Sequence, residues 1–95
     1  MAYPAILTTL QDGDNGRPGH KVVACSLRQG EALAVKYDET MSLQANHDKA
    51  CVAFIENQAR DGANCHGLYV RGTTLCGFAY VKIGTCGDGM TRIGD

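Results

Sequence analysis

The sequence predicts an α+β domain: a largely antiparallel, strongly curved sheet of about five strands, in the order β-ββ-α-ββ, with one amphipathic helix packed on one face. Three observations predict it. One stretch, from about Thr40 to Arg60, has a helical period; two stretches alternate with a period of two around glycine-bearing turns; and 12 glycines in 95 residues let a sheet bend. A chain of this length holds one core, so residues 1–95 are read as a single domain.

Ala5 to Leu10 is a short β-prone run after Pro4, ended by the Gly/Pro-rich loop Asp12 to Gly19. His20 to Arg28 and Glu31 to Tyr37 form a hairpin around Gln29-Gly30, with Arg28 opposite Glu31. Alternation gives Val23, Cys25, Leu27, Ala32 and Ala34 to one face and Val22, Ala24, Leu33, Val35 and Tyr37 to the other. Leu68 to Ile83 is the second hairpin, with Gly72-Thr73 as its two-residue turn. Leu68, Val70, Leu75, Ala79, Val81 and Ile83 share one face, and Tyr69, Cys76, Phe78 and Tyr80 the other. Both hairpins are therefore apolar on both sides.

Between the hairpins, Leu43, His47, Ala50, Cys51 and Phe54 recur at i, i+4, i+7, i+8 and i+11, within roughly a 100° arc of a helix. Thr40 or Ser42 can cap its start, and Gly62 its end. Residues 84–95 read as a glycine-rich, flexible tail in which Met90 and Ile93 either dock or fray.

Nine basic and ten acidic residues, a net charge of −1, form no run of either sign. That argues against phosphate-backbone binding and against an acidic nucleic-acid mimic. No window of about 18 apolar residues is present, and Met1-Ala2-Tyr3-Pro4 lacks the charged start of a secretory signal. Cys25, Cys51, Cys65, Cys76 and Cys86 are an odd set without a C-x-x-C pair. A cytoplasmic protein with reduced thiols is the expectation.

Few constellations carry chemistry. His47 and Cys51 stand one helical turn apart, and Cys65 or His66 follows after a turn, so His47, Cys51, Cys65 and His66 are the candidate zinc ligands; adjacent Cys65 and His66 point to opposite faces of a strand, so one of them joins and the fourth ligand falls to Cys25, Cys76 or Cys86. The competing reading places Cys51 in the core as a small apolar group and His47 at the core edge with one ring nitrogen hydrogen-bonded. The same atoms could be drawn as a thiolate nucleophile and its histidine base, although no strand-to-helix nucleophile turn accompanies them. Asp12-x-Asp14-Asn15-Gly16 begins like a calcium loop, but glycine stands where the third ligand belongs. Gly84 to Gly89 lacks the Lys-Ser/Thr of a phosphate loop. Tyr69, Phe78 and Tyr80, interleaved with Arg71 and Lys82, could stack single-stranded bases, a reading that the balanced charge opposes.

The expectation from sequence is a small non-enzymatic interaction module, of the inhibitor, accessory or particle-component type, without a cofactor. Its partner is another protein or a second copy, with no membrane and with nucleic acid disfavoured. One helix cannot cover two apolar sheet faces, so Tyr69, Cys76, Phe78 and Tyr80 are the expected partner-binding residues. The alternatives are a small-ligand or zinc-binding domain and a Cys-His enzyme.

Overall fold

The structure, a computed structural model, describes residues 5–11, 20–26, 32–60, 66–75, 77–84 and 90–94. Among the described residues, six strands and one helix follow one another as β1 (Ala5–Gln11), β2 (Lys21–Ser26), β3 (Ala32–Lys36), α1 (Leu43–Arg60), β4 (Leu68–Thr73), β5 (Gly77–Gly84) and β6 (Arg92–Gly94). The strands make a single sheet in the order β3-β2-β1-β5-β4-β6. Four of the pairings are antiparallel, and β6 runs parallel to β4.

The α+β class holds, but the expected five-stranded, strongly curved sheet is corrected to a six-stranded, mixed sheet that is neither closed nor strongly curved. Curling needs glycines or bulges inside the central strands. β1, β2 and β3 contain no glycine, and the described glycines of β4, β5 and β6 lie at or next to strand ends. One irregularity interrupts the ladders, between Leu68 and Tyr69. The additional strand comes from the tail. Ile93 pairs with Tyr69 and packs against the core, and Arg92 N–H donates to the Gly67 carbonyl at 3.0 Å.

Both hairpins slip from their expected registers and keep their expected faces. In the second, β4 continues through Gly72 to Thr73, and Thr74 N–H donates to the Gly77 carbonyl at 2.8 Å. Val70 therefore meets Val81 instead of Leu75, and Leu75 projects fully into solvent. In the first, Cys25 meets Ala32 instead of Ala34. Each slip moves the partner by an even number of residues, so no side chain changes sides. Gln29-Gly30, Leu27, Gly62 and residues 12–19 and 85–89 lie outside the described residues.

α1 begins at Leu43 with Ser42 as its cap, the Ser42 Oγ accepting Ala45 N–H at 3.1 Å. Asn46 anchors the preceding turn. Its Oδ1 accepts Asp38 N–H at 2.7 Å, while its Nδ2 donates to the Asp38 and Ser42 carbonyls at 2.8 and 2.9 Å. Ala50, Cys51, Phe54 and Ile55 press onto Ile6, Val22, Ala24, Tyr69 and Tyr80, which together form the core. Leu43, expected within the buried arc, is 48% exposed. It occupies the first turn of α1.

Candidate functional site

The sheet has two unlike faces. Ile6, Thr8, Val22, Ala24, Tyr69, Phe78 and Tyr80 lie under α1, and Tyr69 and Tyr80 are completely buried. This corrects the expectation that Tyr69 and Tyr80 need outside cover; Phe78 is half-buried against the core, and Cys76 lies outside the described residues. The helix covers the aromatic face because the larger rings bury more apolar area, and because a buried tyrosine hydroxyl needs a partner that a helix side chain can supply. Buried in this way, the Tyr69 and Tyr80 rings present no face to solvent.

That partner is Asp48. Arg71 and Tyr80 are cross-strand neighbours on β4 and β5, so both reach toward the same point of α1. Tyr80 Oη donates to Asp48 Oδ1 at 2.7 Å, and Arg71 Nη1 donates to Oδ1 and Oδ2 at 2.8 and 2.7 Å. Arg71 is only 9% exposed at its side chain. A guanidinium so placed requires an anion, and the carboxylate locks helix to sheet. Burial first, and the bond to Asp48 second, push the Tyr80 phenol well above its ordinary range, so it stays a neutral donor.

One residue earlier on α1, His47 is also buried. Its Nδ1 is 2.7 Å from Thr8 Oγ1, and its ring meets Phe78 edge-on at 4.7 Å between centroids. Desolvation lowers its pKa, with the Asp48 charge opposing. A neutral ring that carries its proton on Nε2 accepts the Thr8 hydroxyl directly at Nδ1. A protonated ring would need that hydroxyl turned toward the Phe78 carbonyl, a long contact of 3.5 Å. Gly77 makes room here, because a side chain on it would strike the Thr8 carbonyl of the neighbouring strand and crowd the His47 ring.

The described candidate zinc ligands do not converge. Cys51 is buried, and desolvation pushes its thiol up to about 12, so the group is a protonated core side chain at neutral pH. His66 sits at the start of β4 and bonds Thr91 Oγ1 through Nδ1 at 2.9 Å. His47 lies against Gly77 and Phe78, near the far end of that strand, about 17 Å of β-strand away. Cys65 lies outside the described residues. Among the described residues, no group of three His, Cys, Asp or Glu side chains could hold a metal ion.

The opposite face has no described element upon it. Alternation brings Leu7, Val23, Cys25, Val70, Ala79 and Val81 there. Leu7, Val23, Cys25, Val70 and Ala79 are half-buried, and Val81 is 42% exposed. Lys21 and Lys36, paired across β2 and β3, stand together at one corner.

Alternation could have found Arg71, since it shares a parity with Tyr69 and an arginine on an aromatic face needs an anion. Asp48 and Thr8 had no such signal. No protein-family model, curated protein or solved structure matches this chain. No described helix is long and apolar enough to cross a membrane.

Proposed function

We propose that this protein is a small non-enzymatic interaction module that buries the open sheet face, centred on Leu7, Val23, Val70 and Val81, against another protein. One observation carries the reading: the face without a helix is as apolar along its central strands as the face beneath one. A sheet with one solvated face ordinarily alternates apolar with polar side chains. A contiguous apolar patch is characteristic of contact surfaces. The polar groups that could suggest chemistry are committed elsewhere, Asp48 to Arg71 and Tyr80, and His47 to Thr8. The Cys51 thiol is protonated and covered, the opposite of what nucleophilic attack requires.

The reading is tested by Val81→Lys and Thr9→Lys, two charges placed on the open face. Measured by chemical denaturation of dilute protein, each should change stability by no more than about 0.5 kcal/mol, as surface substitutions do. A loss of several kcal/mol from both would show that the chain itself closes this face, and the module reading would fall.

A further inference from the structure

We infer that the first occupant of the open face is a second copy of this chain, packed sheet to sheet about a two-fold axis. The inference rests on the proposed role of that face and names its partner. Five spacings of about 4.8 Å across six strands, with strands about 20 Å long, give a flat footprint of about 500 Å² on each protomer. Two such footprints bury on the order of 1,000 Å² before side-chain relief adds to it, the threshold for a biological contact and just below the roughly 1,200–2,000 Å² of stable interfaces.

The face is also compatible with itself. An isologous contact sets the same surface against its own copy, so every group on it must tolerate its neighbours in the partner. Leu7, Val23, Val70 and Val81 provide apolar ridges, and Ala5, Ala32, Ala34 and Ala79 provide low ground between and beside them. Sheets stacked about 10 Å apart interdigitate in this manner. The described charges of the face stand at its corners: Lys21 and Lys36 at the end of β2 and β3, and Arg92 on β6 at the diagonally opposite end. A two-fold axis through the centre, along or across the strands, carries the partner's lysine pair to a corner holding none of these three. Like charges are thereby kept apart.

Cys25 reports directly on this contact, since it lies on the open face, partly exposed and free. The experiment is sedimentation of the wild-type chain between about 0.1 and 100 μM, paired with the rate of Cys25 alkylation read by peptide mass spectrometry at the same concentrations. A dimer requires the sedimenting species to double in mass and Cys25 labelling to slow on the order of tenfold as concentration rises. In Val81→Asp, with circular dichroism confirming the fold, labelling should be fast at every concentration and the chain monomeric. Thr9→Lys provides the same comparison should Val81→Asp fail to fold. A wild-type monomer whose Cys25 labels rapidly at all concentrations would overturn the second copy while leaving the face open to a different protein. A monomer whose Cys25 stays slow at all concentrations would overturn the module reading as well, because the chain would then cover its own face.

Discussion

At His47 the sign of a pH effect follows from a single desolvated ring. Burial holds the folded-state pKa below the ordinary 6.5, so the unfolded chain binds the proton more readily. Stability from this group is complete above about pH 6.5 and is lost as pH falls through the folded-state value. Its slope cannot exceed about 1.4 kcal/mol per pH unit, the limit for one proton. Urea denaturation between pH 7.5 and 5 should show the decline, and His47→Asn should flatten it. An unchanged slope in that variant would locate the titration elsewhere. Asp38 does not compete in this window. Its pKa is lowered, principally by the Thr40 hydroxyl bond, so its contribution disappears only in more acidic solution, below about pH 4.

α1 is held to the sheet by two kinds of contact. Phe54 and Ile55 contribute apolar burial, while Asp48 fixes where the helix sits by meeting Arg71 and Tyr80 together. Phe54→Ala should cost about 3–5 kcal/mol. Leu43→Ala and Lys49→Ala should each stay within about 0.5 kcal/mol, Leu43 because its side chain is half in solvent. Thermal unfolding of the three variants checks the orientation of the helix; equal losses at Phe54 and Leu43 would mean that α1 is rotated about its axis. The buried arc was legible from residue spacing at His47, Ala50, Cys51 and Phe54. Asn46, Ile55 and Gln58, which widen it, were not. Spacing sets the direction in which a side chain leaves the helix, whereas the width of the buried stripe depends on how the sheet twists beneath it.

Across the whole molecule the cysteines test how the layers fit together. Cys25 and Cys51 are free, one on each side of the sheet. Intact mass measured without reductant should correspond to five free thiols, and native alkylation should spare Cys51 until the chain unfolds. A disulfide found under non-oxidising purification would contradict the reduced state expected from the odd cysteine count, and prompt labelling of Cys51 would contradict its place under α1.

By itself the sequence determined the α+β class, the one helix, and the division of each hairpin into two faces. These follow from periodicities of 3.6 and 2 that belong to the local backbone, and an even slip of register leaves them unchanged. Tertiary structure decided the rest: that β6 joins β4 in parallel, that β1 lies at the centre between β2 and β5, and that α1 crosses the aromatic face. Alternation says that two faces differ without saying which is covered. That choice depends on the total area buried and on a partner for each polar group, and here Asp48, far from Arg71 and Tyr80 in the chain, meets both at once.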